Sequence, residues 1–529
     1  MAATGRSFIG FRDATDGKTT FRAFNPATGE ALEPEFQAAT SEEVDLAARL
    51  AADAFVTFRE LPGKKRAEFL NKIAANIESV VDPIVERAHL ETALPKPRLQ
   101  AETARTCNQL RLFAKVVEEG SWVQARIDRA DPNRKPQPKP GIRSLLRPLG
   151  PVVVFSASNF PLAFSVAGGD TASAFAAGNP VIVKAHSAHP GTSQLVGEAV
   201  RNSVRACGLP EGVFSLIFGA GTSVGAMLVQ HPLIKAGGFT GSTGAGRALM
   251  NMATSRPEPI PFYGELGSTN PVFILPGAMR ARGQKIAEGL YGSFTLGAGQ
   301  FCTKPGLIFV SDGSASNGFV TELKGKVADA PQFALLTKGI SSDYDRTASE
   351  RRKQRDLKVV AEGTPRSDNP YSARAVLYQT DISSFLSDHE LSEEHFGPST
   401  LLINYESKQQ ILQAARNLEG HLTATIHGTE DDLREFAELV SILENKVGRI
   451  IFNGFPTGVE VCHAMVHGGP YPASTDGRTT SVGTQAIFRF ARPVCFQDFP
   501  DASLPPELQD ANPLGIWRMV DGELTQQPL

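Results

Sequence analysis

The chain has 529 residues, too many for one core at the usual domain size of about 100–200 residues, so two or three domains are expected. Hydrophobic residues make up 41% and charged residues 21% of it, a globular balance that excludes extensive disorder. With 53 basic against 56 acidic residues and a net charge of -3, it carries no overall electrostatic footprint for nucleic acid or an anionic membrane, which leaves a small molecule as the expected partner.

The opening residues Met1 to Arg6 lead into polar sequence rather than an apolar signal, and no stretch of about 18 apolar residues follows, so a cytoplasmic protein is expected. In chain order, Thr40-Ser41-Glu42-Glu43 fits a capping box, and Val44, Ala47, Leu50, Ala51, Ala54 and Phe55 follow at helical spacing. A second helix is read through Phe69, Leu70, Ile73 and Ile77, and a third over residues 103–111, carrying Arg105 and Arg111. Residues 126–148 interleave seven Arg and Lys with five Pro, a basic insert expected to connect two regular regions or to reach a partner subunit. From Pro151, short β-branched runs (Val152–Val154, Val181–Val183, Val213–Ile217, Leu233–Phe239) alternate with Ala-rich or Ser-rich stretches, the pattern of βαβ units and a parallel sheet. The tail after Phe496, rich in Pro and Asp, is expected to lie over the surface.

Three motifs carry chemistry. Phe239-Thr240-Gly241-Ser242-Thr243-Gly244 joins a strand to a helix, where free N–H groups and small hydroxyls suit a phosphate. Tyr263-Gly264-Glu265-Leu266-Gly267 sets a carboxylate among glycines and apolar residues, a setting expected to raise its pKa toward that of a general base. Leu296-Gly297-Ala298-Gly299-Gln300-Phe301-Cys302 places a thiol after a glycine-rich turn, where a nucleophile and its own N–H can face the same carbonyl. The five cysteines include no C-x-x-C pair, and His186, His189, His395, His463 and His467 show no metal-ligand spacing, so no metal site is expected and these histidines are read as ordinary polar or packing groups.

Taken together and in this order, the motifs resemble the aldehyde dehydrogenase superfamily over almost the whole chain. The resemblance implies an oxyanion amide at Asn159 in Ser158-Asn159-Phe160-Pro161, a cofactor lysine at Lys184, a phosphate-binding turn at Gly241-Ser242, a base at Glu265 and a nucleophile at Cys302. It further implies, within Glu393-Glu394-His395-Phe396-Gly397-Pro398, a nicotinamide-ribose carboxylate at Glu394 with Phe396 beside the ring. Four positions depart from the family pattern: Ser158, Ser268, Thr303 and Lys304. The stretch from Asn453 through Cys462 to Thr475 is similar to the α-ketoglutaric semialdehyde (2,5-dioxopentanoate) dehydrogenase branch, whose neighbours are NADP-dependent fatty aldehyde dehydrogenases.

The implied fold is α/β: a Rossmann-like cofactor domain (residues 1–125 and 149–265), an α/β catalytic domain (266–478), a small β oligomerisation element (126–148 and 479–495) and a C-terminal tail (496–529). A homodimer or homotetramer is implied with it. The implied reaction is NAD(P)-dependent oxidation of an aldehyde to an acid through a Cys302 thioester, with α-ketoglutaric semialdehyde as the first substrate and aliphatic aldehydes as the second. A cysteine hydrolase or acyltransferase without redox chemistry would share the thiol but have no use for Lys184, Ser242 and Glu394. Ser187 stands three residues after Lys184, where NAD-preferring relatives often carry a glutamate; without that repulsive carboxylate, NADP is expected to be preferred over NAD. Phe160 and Phe455 are expected to line the substrate tunnel, whereas Phe155, Phe164 and Phe175 are read as core. Arg105 or Arg111 could meet a substrate carboxylate at the tunnel mouth.

Overall fold

The structure, a computed structural model, describes residues 3–529, with the side chains of residues 314 and 315 left out. Its first helix, Ser41–Phe58, begins as the sequence requires: Glu43 N–H donates to the Thr40 hydroxyl at 3.2 Å, and the Glu43 carboxylate accepts from Thr40 N–H at 2.9 Å. Such a cap is worth about 1 kcal/mol. Helices Gly63–Glu78 and Lys96–Glu119 then pack against each other through Phe69, Leu70, Ile73, Leu110 and Phe113, all fully buried.

Beyond Pro151 the expected parallel sheet forms. Its strands lie in the order Phe262–Glu265, Ala236–Thr240, Val152–Phe155, Val181–Lys184 and Phe214–Ile217, all parallel, with a short antiparallel extension at Phe8–Ile9 and Arg12–Asp13. These strands are buried almost throughout, because helices cover both faces. Two strand ranges shift from the sequence reading: Val213 belongs to a helical turn, and the strand expected from Leu233 starts at Ala236. The first strand of the series, Val152–Phe155, pairs with Val181–Lys184 on one side and Ala236–Thr240 on the other, so the chain changes winding direction at this strand. Ligand crevices open at such switch points, beyond the carboxyl ends of the strands.

The second sheet runs Lys358–Glu362, Val376–Asp381, Ser399–Tyr405, Leu307–Ser311, Val272–Ile274, His421–His427 and Val447–Phe452, parallel apart from its first edge strand. Separate apolar clusters cover its two faces.

The basic insert is not a bare connection. Arg126–Asp128 and Ile142–Pro148 are strands of a five-stranded sheet whose outer member is Ala491–Gln497. Residues 479–490 supply no strand to it; Thr484–Phe490 form a helical turn. The tail corrects the surface expectation further, because Arg518–Val520 pairs with Arg126–Asp128 and carries Glu523–Thr525 beyond it. Main-chain pairing and the buried Arg518, Leu508 and Ile516 dock the tail where composition alone suggests solvent. Among the described residues no helix is long and apolar enough to cross a membrane.

Candidate active site

Parallel strands deliver the motif residues to one edge. Lys184 and Glu265 end their strands, Gly241-Ser242 follows Thr240, and Asn159 lies four residues beyond Phe155. The nucleophile loop reaches the same edge from the second sheet, after the helix Pro276–Thr295. Gly297, Ala298 and Gly299 all take left-handed backbone angles, with φ of 57°, 59° and 68°. At Gly299 a Cβ would stand 2.1 Å from the Gly397 carbonyl oxygen, so only glycine lets the thiol loop lie against the Glu393–Pro398 motif. Buried Asn270 pins the other side of the loop: its amide nitrogen lies 2.8 Å from Cys302 O, 3.0 Å from Lys304 O and 3.1 Å from Ser268 O. Ser268, the departure from the glycine pattern, orients Asn270 by donating to its Oδ1 at 3.0 Å.

Cys302 and Glu265 meet as expected, and His467 joins them. His467 Nε2 lies 3.5 Å from Cys302 Sγ and 3.0 Å from Glu265 Oε1, and the ligating atoms of all three residues fall within 4.8 Å of one another. Ser481 Oγ lies 2.9 Å from Glu265 Oε2 and 3.0 Å from the His467 carbonyl, bridging the two. The reading of His467 as an ordinary packing group is therefore corrected. Its sequence surroundings offer no helix or spacing signal, since it reaches the site on an irregular segment 202 positions from Glu265 in the chain.

The electrostatics also correct an expectation. Burial would raise the Glu265 pKa, but the His467 imidazole and hydrogen bonding with His467, Cys302 and Ser481 outweigh it, so the carboxyl is held below its ordinary value. Burial pushes the Cys302 thiol well up, and the negative charge of Glu265 pushes it further, against the pull of Arg105. A protonated thiol therefore faces an ionised carboxylate and an imidazole.

Asn159 is buried beside them, its amide donating to Gln300 O at 2.9 Å. Arg98 ties this segment to the thiol loop: it donates to Asn159 O at 2.9 Å and stacks over the rings of Phe160 and Phe301 at 5.2 and 4.7 Å. A cavity of about 470 Å³ opens in front of Cys302, lined among others by Arg105, Phe160, Phe164, Phe301 and Arg449. Phe160 is thus at the cavity wall. Phe455 does not line it; its ring packs on His427 at 4.8 Å and over Gly289. Phe164, read as core, takes a place on the wall beside His467.

Arg105 and Arg111 part company. Arg111 is held by Glu78 through two contacts of 2.6 Å, away from the cavity. Arg105 Nε donates to Val459 O at 3.3 Å, while its buried Nη1 has no protein partner among the described residues. Arg449 donates to Gly458 O and Pro456 O, and its Nε is likewise buried without one.

The ends of the first sheet's strands carry further motif residues. Gly241 and Ser242 are exposed at the start of the helix Thr243–Thr254, with Ser242 as its cap. Burial lowers the Lys184 amine to about 8, and Ser187 lies half-buried beyond it. Glu394 faces Gly267 so closely that a Cβ there would come within 2.6 Å of its Oε2. Burial raises the Glu394 pKa and the nearby Lys304 ammonium opposes the rise. Phe396 is half-buried on the same motif. A helix N-terminus, an amine and a carboxylate are groups that fit the phosphates and ribose hydroxyls of a dinucleotide.

The model of the aldehyde dehydrogenase family matches residues 11–490. The chain belongs to that family. It is accordingly an NAD(P)-dependent aldehyde dehydrogenase. Among curated relatives, this dehydrogenase is 48% identical to alpha-ketoglutaric semialdehyde dehydrogenase 2 of Azospirillum brasilense, over 99% of this chain and 100% of that one. It is 45% identical to the alpha-ketoglutaric semialdehyde dehydrogenase of Acinetobacter baylyi, over 99% of both. Among solved structures, an aldehyde dehydrogenase from Bacillus cereus in complex with NAD+ superposes with a TM-score of 0.80 at 21% identity, covering 93% of this chain and 96% of that one. That match shows the shared fold.

Proposed function

We propose that this aldehyde dehydrogenase oxidises α-ketoglutaric semialdehyde to 2-oxoglutarate, with NADP preferred over NAD. The observation that carries the substrate reading is the pair of guanidinium-bearing residues, Arg105 and Arg449, which line the same cavity as Cys302 and each keep a buried nitrogen without a protein partner among the described residues. A carboxylate drawn into a cavity walled by phenylalanine needs such donors. Among the described residues Glu460 is the one acidic group lining the cavity, and it is exposed. Full-length identity of 48% and 45% to two enzymes of that name supports the same reading.

In the proposed reaction the Cys302 thiol passes its proton to Glu265 or His467, and the thiolate attacks the aldehyde carbon. The Asn159 amide and the Cys302 N–H hold the oxyanion. When bound, NAD(P) supplies the hydride acceptor, and Lys184, Ser187, Gly241, Ser242, Glu394 and Phe396 are the residues that would hold it. A thioester remains on Cys302. Once the thiol's proton has left to solvent, water loses a proton to Glu265 and adds to the thioester carbonyl; the C–S bond breaks, the acid leaves, and the proton on Glu265 returns Cys302 to the thiol. Ser187 supports the NADP preference because it places a hydroxyl, and no carboxylate, three positions after Lys184.

We assign cofactor binding to the first sheet with its helices, catalysis to the second, and self-association to the five-stranded sheet. The edge strand Ala491–Gln497 is largely exposed over seven residues, which supports pairing with a second chain as a homodimer or homotetramer. Five cysteines without disulfide bonds support a cytoplasmic setting. The deciding experiment compares kcat/KM for α-ketoglutaric semialdehyde with that for an uncharged aldehyde of equal length, with NADP and with NAD. Clear preference for the carboxylated substrate is expected; equal values, or a steady rise with alkyl length, would refute the assignment.

A further inference from the structure

Three donor types that favour zinc converge behind the cavity wall at Cys302: a thiol, an imidazole nitrogen and a carboxylate oxygen, all within 4.8 Å of one another. We propose that Cys302, His467 and Glu265 form a zinc site that reversibly locks the enzyme. Tetrahedral Zn²⁺ with bonds of about 2.3 Å to sulfur and 2.0–2.2 Å to nitrogen and oxygen requires ligand separations near 3.6 Å for N···S and 3.4 Å for N···O. The observed separations are 3.5 Å for His467 Nε2 to Cys302 Sγ and 3.0 Å for His467 Nε2 to Glu265 Oε1, each within tenths of an ångström of these values, and all three ligand atoms lie within 4.8 Å of one another.

Charge and access support the same ion. Binding converts the Cys302 thiol and Zn²⁺ into a zinc thiolate and one released proton; no oxidant is involved. Thiolate and carboxylate together then cancel the dication, so the buried complex is neutral and escapes the cost of burying net charge. Ser481 holds the second Glu265 oxygen at 2.9 Å, leaving Oε1 turned to His467. Cys302 lines the cavity, which gives the ion and a water as fourth ligand a way in from the thiol side. His467 Nδ1 has no partner among the described residues. Losing that outer contact weakens metal sites about 10–100-fold, which keeps the lock within reach of a chelator. With zinc in place, the thiol that attacks the aldehyde is a metal ligand, silent as a nucleophile and shielded from alkylation.

The test reads binding rather than turnover, so its failure leaves the dehydrogenase reading intact. Full-length enzyme free of metal is titrated with Zn²⁺ by equilibrium dialysis, and iodoacetamide labelling of each cysteine is followed by mass spectrometry. Expected are one Zn²⁺ per chain, slowed labelling of Cys302 but not of exposed Cys495, and full recovery with EDTA. His467→Phe should weaken binding at least about tenfold and restore Cys302 labelling in the presence of zinc. Glu265→Gln, a smaller change, should weaken it in the same direction and serves if the phenylalanine variant does not fold. Protection of Cys302 that survives both substitutions would show a thiol acting alone and overturn the proposal, as would zinc binding that Cys302→Ala leaves unchanged.

Discussion

Replacing Arg105 by Met keeps an unbranched apolar stem over Phe164 and removes the guanidinium, which lies 5.4 Å from the Phe164 ring centroid. In the proposed complex its guanidinium, at the cavity wall, donates to the substrate's carboxylate. A hydrogen bond to a charged group is worth about 1.5–3 kcal/mol, or about 10–150-fold in rate at ~1.4 kcal/mol per decade. Arg449 remains in the same cavity with its own unpartnered Nε, so the loss should fall toward the lower part of that range. The assay is kcat/KM for the ω-carboxylated semialdehyde and for an uncharged aldehyde of equal length, in parent and variant. The carboxylated substrate should lose about 10–100-fold and the uncharged one less than about threefold. Arg105→Lys should fall between, since it keeps the charge and loses the planar fork. An equal loss on both aldehydes would show that Arg105 acts through the Val459 segment it touches, and would refute its role as a carboxylate anchor.

Three further outcomes follow from the same geometry. Glu265→Gln should still give a burst of reduced cofactor, because His467 also stands beside the thiol, while steady turnover falls about 10²–10⁴-fold; loss of the burst would make Glu265 the sole proton acceptor. Because burial and Glu265 raise the Cys302 pKa, its reactive thiolate is scarce at neutral pH and grows as pH rises, so in cofactor-free enzyme its iodoacetamide labelling should lag that of exposed Cys495 at pH 7 and gain on it above pH 9. Faster labelling of Cys302 at pH 7 would contradict this. Ser187→Glu should shift the ratio of kcat/KM for NADP to that for NAD toward NAD by about tenfold or more; an unchanged ratio would remove position 187 from the adenosine-ribose pocket.

Order along the chain was enough to read the strand series from Val152 to Phe239 and the capped first helix, because each rests on local pattern: period, glycine punctuation and a hydroxyl three residues before a carboxylate. The motif residues were legible for the same reason, since a parallel sheet delivers whatever follows each strand to one edge. What depends on the approach of distant segments was not legible. Arg105 and Arg111 share one helix and look alike in sequence, yet six residues at about 100° per residue place them a third of a turn apart, and only one meets the cavity. Arg98, Glu102 and Arg105, spaced four and three apart, do share a face, and all three lie largely buried there, a charged stripe whose surroundings only the packing of distant segments decides. His467 and Ser481 sit on irregular chain and reach Glu265 only through tertiary contacts, and the tail becomes sheet only because Arg126–Asp128 offers it an edge. The sequence specified the reacting groups; how far each is buried, what it faces and which way its pKa moves were decided by the folded chain, because those quantities belong to neighbours and not to residues.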